Sequence, residues 1–247
     1  ERVGGMAMIK RKNYLEKLIA WKDEKVIKVV TGIRRCGKST LLDLYKEYLK
    51  KNGVGDGQIV AVNFEDLENE ALQDYKALYA YLSDRLCHGK MTYIFLDEIQ
   101  KVEGFEKVVD SLYIKENVDV YMTGSNSWLL SGELATLLSG RYIEIKMLPF
   151  SFAEFYKSQG GGDADRLFAD YMANGSFPYI ATMDRTKEKI DMYLEGIYNT
   201  VIVKDIEERQ NRKEKDPNKR KVSDISLLKN ISKFLASSIG SPVSVKR

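Results

Sequence analysis

The 247-residue chain carries one histidine and two cysteines, and this scarcity removes whole classes of chemistry before any motif is read. A lone imidazole, His88, cannot build a histidine-based zinc site or triad, and without a Cys-x-x-Cys pair Cys36 and Cys87 supply no thiolate cluster. Two thiols are too few for a disulfide framework, so both are expected to be reduced. Charge of one sign is also missing: 39 basic residues against 36 acidic ones leave a net charge of +3, well short of the imbalance that by itself announces nucleic acid. No window approaches the roughly 18 uninterrupted apolar residues of a spanning helix, and the N-terminus lacks a secretory progression. The expectation is a cytoplasmic protein with no membrane partner, whose chemistry comes from carboxylates, lysine, hydroxyls and bound metal.

What is present is ample apolar material, 44% of residues, enough for one large domain with a smaller one appended. Residues 26–31 form a short β-branched run ending at Gly32. After it Leu41, Leu42, Leu44, Tyr45, Tyr48 and Leu49 recur at helical spacing, so the order is strand, glycine turn, helix. Further apolar runs at 58–64, 93–96, 118–122 and 142–147 are separated by helical or charged stretches. Five strands alternating with helices predict an α/β fold with a parallel sheet covered on both faces. An amphipathic helix over 9–22 leads into it.

After Pro149 the strand pattern stops. Helical periodicity takes over, interrupted at Gly160-Gly161-Gly162 and Asn174-Gly175-Ser176-Phe177-Pro178, and a long helix is expected over 186–208. Residues 204–221 are dense in both signs of charge and read as a solvated helix end and linker; a further amphipathic helix spans 223–239. The expected division is 1–149, 150–210 and 211–247.

The segment Gly32-Ile33-Arg34-Arg35-Cys36-Gly37-Lys38-Ser39-Thr40 matches G-x-x-x-x-G-K-[ST]. Its glycines let backbone N–H groups wrap phosphates at a helix N-terminus, where the dipole favours negative charge. Lys38 would meet the β- and γ-phosphates of ATP, Ser39 would offer its hydroxyl to Mg²⁺, and Thr40 stands next for the α-phosphate. Tyr93-Ile94-Phe95-Leu96-Asp97-Glu98 supplies the complement: an apolar strand ending in two carboxylates. Asp97 would hold Mg²⁺ through water, and Glu98 would orient and deprotonate the attacking water.

These motifs, their order and the segments downstream of them resemble the AAA+ superfamily, and within it prokaryotic ATPases distantly similar to origin-recognition and replication-initiation ATPases. The resemblance implies a three-layer P-loop sandwich with a five-stranded parallel sheet of order 5-1-4-3-2, then an all-helical lid and the start of a winged helix. It implies that Asn126, ending Met122-Thr123-Gly124-Ser125-Asn126, is the sensor 1 residue, with Ser125 the second choice. Arg141, in Leu138-Ser139-Gly140-Arg141-Tyr142, stands where an arginine finger is kept, which implies a homo-oligomer. Asn63 resembles the polar switch residue that restrains the catalytic glutamate. Residues 148–155 and the Gly175-Ser176-Phe177-Pro178 turn resemble the lid. The chain departs from the pattern in having no convincing sensor 2 arginine, since Arg185 lies beyond the turn.

The residues support two functional readings. One is an ATPase that hydrolyses ATP to ADP with Mg²⁺ and moves its lid to reshape an oligomer or a partner contact. The other is a slow-turnover, ATP-dependent switch whose C-terminal region recognises DNA or protein. A small-molecule phosphotransferase is disfavoured because Glu98 comes directly after Asp97 and no basic, substrate-grasping lid motif is present.

Overall fold

The computed structural model describes residues 2–3, 6–7, 9–125, 138, 140–213 and 225–241. A short antiparallel ribbon pairs Arg2–Val3 with Met6–Ala7. The main sheet has five parallel strands: β1 (Ile27–Gly32), β2 (Ile59–Asn63), β3 (Thr92–Asp97), β4 (Val118–Ser125) and β5 (Tyr142–Met147). Their spatial order is β2-β3-β4-β1-β5, which is 5-1-4-3-2 read from the other edge. Register is continuous across the centre, with Val30 opposite Thr123 on one side and Ile145 on the other.

Strands β1 and β3 are buried at every position, as expected of strands covered on both faces, and this is why their sequences read as near-continuous apolar runs. Successive side chains on a strand point to opposite faces, so one run feeds two cores. Val29, Ile94, Leu96 and Met122 face helices α3 (Tyr75–Asp84) and α4 (Phe105–Tyr113), packing on Leu78, Leu82, Val108 and Leu112. Val30, Phe95, Tyr121 and Ile145 face α1 (Lys12–Ala20) and α2 (Lys38–Lys51), packing on Leu18, Leu41, Tyr45 and Leu49.

The second core encloses a polar network. Lys28 Nζ lies 2.5 Å from Asp119 Oδ1, with both side chains fully buried, and also donates to the Glu24 carbonyl at 2.6 Å. The other carboxylate oxygen accepts from the Asp23 backbone N–H and the Tyr121 hydroxyl, which bonds to Tyr45 Oη at 2.8 Å. Burial pushes the Asp119 carboxyl above its ordinary range, and Lys28 opposes that rise.

Beyond β5 the regular elements among the described residues are helices. Helices α5 (Phe152–Ser158), α6 (Ala164–Asn174) and α7 (Pro178–Thr182) share a small core of Phe150, Phe155 and Ala181 with Phe152 and Tyr171 against it. Ser151 and Glu154 form a capping box that starts α5. Helix α8 runs from Lys187–Lys213 and α9 spans Ile225–Ser237.

Two compact units divide at Ile190 and Asp191, within α8. In the second, Asn199 Oδ1 accepts from Lys229 Nζ at 2.9 Å, and the Tyr198 and Ser232 hydroxyls bond at 2.5 Å. Among the described residues no helix is long and apolar enough to cross a membrane.

Candidate nucleotide site at the carboxyl end of the sheet

At the C-terminal end of β1 the chain turns through residues 33–37 into α2. Gly32 is required by contact: a Cβ there would stand 2.5 Å from the Met147 carbonyl oxygen and 2.7 Å from Cys36 Sγ. Gly37 has a left-handed φ of 98°, a conformation that L side chains rarely adopt. Cys36 is buried between these glycines, and burial raises its thiol pKa. Lys38 opens α2 with Ser39 and Thr40 exposed beside it in the first turn, where backbone N–H groups lack helical partners.

Lys38 is almost fully buried. Its Nζ donates to the Gly32 carbonyl at 3.2 Å and lies 3.4 Å from Glu98 Oε1. Thus the loop lysine and the carboxylate that directly follows β3 meet in one cluster, although 60 positions separate them in sequence. Asp97 and Glu98 are both buried. Glu98 also has a left-handed backbone, φ 57°, a strained conformation for a residue with a side chain.

Two residues that the motifs do not contain hold this pair. Thr123 on β4 stands across from Asp97; its hydroxyl donates to Asp97 Oδ1 and accepts the Glu98 backbone N–H at 2.9 Å. The Gln100 side chain donates from Nε2 to Glu98 Oε2. Between Lys38 and Gln100, both Glu98 carboxylate oxygens are engaged.

The other expected site residues have varied surroundings. Arg34 approaches Glu65 at 3.7 Å, and Arg35 is exposed with a left-handed φ of 63°. Ile33 is half-buried and its carbonyl lies 3.5 Å from Lys38 Nζ. Asn63, at the end of β2, spends its side-chain oxygen on the Glu65 N–H at 2.9 Å; the amide side chain bonded to Glu98 is that of Gln100. Arg141 is exposed, pairs with Asp110 of its own chain at 3.1 Å and lies over the Tyr113 ring. Asn126 lies outside the described residues, as does the Ser125 side chain. Arg185 is engaged within its own unit, 2.8 Å from Asp170, donating to Gln159 at 3.1 Å and stacked over Phe155.

The donor set is oxygen only: the exposed Ser39 hydroxyl and the Asp97 carboxylate. Such hard ligands suit Mg²⁺, which keeps waters and substrate phosphates in its shell and needs few protein groups. Among the described residues no group of three or more His, Cys, Asp or Glu side chains is placed to hold a metal ion.

A family profile described as an AAA domain matches residues 24–156, which span all five strands and the start of the helical region. The chain belongs to the AAA domain family. An uncharacterised protein of Haemophilus influenzae is 40% identical over 95% of this chain and 57% of its own length. One of Methanocaldococcus jannaschii is 30% identical over 90% of this chain and 48% of its own length. The chain therefore spans about half the length of these relatives. Among solved structures, the extended conformation of a Saccharomyces cerevisiae Hsp104:casein complex covers 97% of this chain and 51% of that one, at 12% identity and a TM-score of 0.53. That likeness concerns the fold. The AAA domain family is one of nucleotide-binding P-loop ATPases.

Proposed function

We propose that this AAA domain binds ATP with Mg²⁺ and hydrolyses it to ADP, using the turnover to move the helical lid and reshape an oligomer or a partner contact. The observation that carries the reading is the approach of Lys38 Nζ to Glu98 Oε1 at 3.4 Å. It joins a phosphate-binding cation and a buried carboxylate base at one point, which a hydrolase needs. Incoming phosphate oxygens compete for Lys38 and draw it from the Gly32 carbonyl and from Glu98, freeing one carboxylate oxygen for the attacking water. Ser39 and Asp97 would hold the metal. Mg²⁺ held by these residues would neutralise charge on the phosphates. Thr123 fixes the backbone from which Glu98 projects, and Asn126 would read the γ-phosphate. Arg141 would serve a neighbouring copy.

A second reading is favoured by a specific observation. Both Glu98 oxygens are engaged, one by Lys38 and one by Gln100, so hydrolysis first requires the carboxylate to be released. This suits a slow ATP-dependent switch whose output is DNA or protein recognition through the C-terminal region.

Phosphate release by the wild type and by Glu98→Gln, with ATP affinity measured by calorimetry, tests both. The first reading expects tight binding in both proteins and turnover at least about 100-fold slower in the variant, a loss of about 2.7 kcal/mol of transition-state stabilisation. Tight binding with equally negligible turnover in both proteins refutes hydrolysis and leaves the switch.

A further inference from the structure

Arg11 precedes α1 and belongs to none of the motifs, yet its side chain is 4% exposed and its charge is fully used. Its Nη1 donates to the Cys36 carbonyl at 3.1 Å. From Nη2 it donates to the Leu148 and Pro149 carbonyls at 2.9 and 3.3 Å, where the chain leaves β5. Its Nε and Nη2 engage Glu154 Oε1 and Oε2 at 2.8 and 3.2 Å, a forked pair. The guanidinium carbon lies 4.7 Å from the centroid of the Tyr14 ring and 5.1 Å from that of Phe150. The backbone of Arg11 is left-handed, φ 44° and ψ 50°, a conformation L residues rarely adopt and one these contacts hold in place.

One planar peptide explains why such an anchor bears on the nucleotide. The Cys36 carbonyl and the Gly37 N–H belong to the same trans unit and point in opposite directions. A donor that fixes the carbonyl therefore fixes the N–H, and Gly37 is the second glycine of the phosphate loop. On its other side the guanidinium grips Glu154, whose carboxylate also accepts from the Ser151 N–H and hydroxyl at 2.9 and 3.1 Å and so caps α5. An arginine fork is planar and rigid, so it passes a displacement along instead of absorbing it. Arg185 is engaged within the lid, whereas Arg11 reaches both the phosphate loop and the lid.

We propose that Arg11 is a positioning residue that holds the Cys36–Gly37 peptide in its phosphate-receiving orientation and relays phosphate binding to α5, the first lid helix. The inference rests on the ATP-binding reading above. It is tested by hydrogen exchange of residues 150–158 with and without Mg-ATP, alongside calorimetry, in the wild type, Arg11→Met and Arg11→Lys. In the wild type nucleotide slows exchange in this segment several-fold. In Arg11→Met, ATP binds about tenfold more weakly, the loss of about one charge-assisted hydrogen bond, and no longer changes exchange there. Arg11→Lys restores part of the response.

Should Arg11→Met fail to fold, Glu154→Gln keeps the Cys36 contact while breaking the charged fork. It is expected to bind ATP within about twofold of wild type, since the phosphate loop is untouched, and to lose most of the lid response. A full nucleotide response in Arg11→Met, or in Glu154→Gln, overturns the relay while leaving ATP binding standing. A wild type that binds no ATP overturns the ATP reading and the relay together.

Discussion

Replacing Thr123 by valine keeps the shape of a fully buried side chain and deletes one hydroxyl. That hydroxyl does two things: it donates to the Asp97 carboxylate and accepts the Glu98 backbone N–H at 2.9 Å. Leaving the N–H unpartnered costs about 1–3 kcal/mol, and losing a donor to a carboxylate costs about 1.5–3 kcal/mol. Asp97 stands at the edge of solvent, 9% exposed, so water recovers part of the second loss, and we expect a net destabilisation of about 2–4 kcal/mol. For a unit of this size that is roughly 5–15 °C in Tm. Function is expected to fall as well as stability, because the Glu98 backbone, left-handed where that bond meets it, is free to relax without it. Phosphate release is expected to show kcat lower by about 100-fold, or about 2.7 kcal/mol, with KM for ATP little changed because the phosphate loop is intact. Thr123→Ser, which keeps the hydroxyl, should retain most activity. A valine variant with kcat within twofold of wild type would refute the reasoning.

The buried pair makes a separate stability prediction. Lys28→Met leaves Asp119 without its countercharge and should cost about 3–5 kcal/mol by thermal or denaturant unfolding; a loss below about 1 kcal/mol would mean that the carboxyl is readily neutralised. Cys36 should resist maleimide at pH 8 in the folded protein while Cys87, half-buried, labels first. Because burial raises the Cys36 pKa, its labelling should gain as pH climbs past the ordinary thiol value of about 8.5, and mass spectrometry of labelled peptides checks the order. Arg141→Ala removes an exposed ion pair worth at most about 1 kcal/mol, so the fold should be unaffected. If Arg141 serves a neighbouring copy, mixing Arg141→Ala with Glu98→Gln subunits should recover turnover, read as phosphate release; no recovery from mixed oligomers shown to form rules that role out.

Much of the fold was legible because it rests on local signals. The five apolar runs became the five strands, with β1 and β3 reading as continuous hydrophobic segments since both of their faces are covered. Strand order came through the family resemblance, as no local pattern sets which strands pair. The proposed phosphate loop rests on the spacing of Gly32 and Lys38, and its proposed complement on Asp97 with Glu98, each a pattern within a single segment. Thr123, Gln100 and Arg11 gave no comparable signal. Threonine in a strand is ordinary, Gln100 is one amide just past the acidic pair, and Arg11 is one of 39 basic residues. Asn63 carried a resemblance to a switch; in the structure its side-chain oxygen accepts from the Glu65 N–H of the turn after β2, and the side-chain amide bonded to Glu98 is that of Gln100.

By itself, then, the sequence determined which segments become strands and helices and which side chains have the chemistry for phosphate and metal, since period, glycine position and residue type act over a few residues. The tertiary structure decided what those side chains face. Parallel register set Thr123 beside Asp97, the fold carried Lys38 to Glu98, and burial of Arg11 joined Cys36 to Glu154, itself 143 positions of chain from the arginine. Each of these contacts links segments far apart in sequence, and the cost of bringing such segments together is met only when the two cores on the sheet have closed.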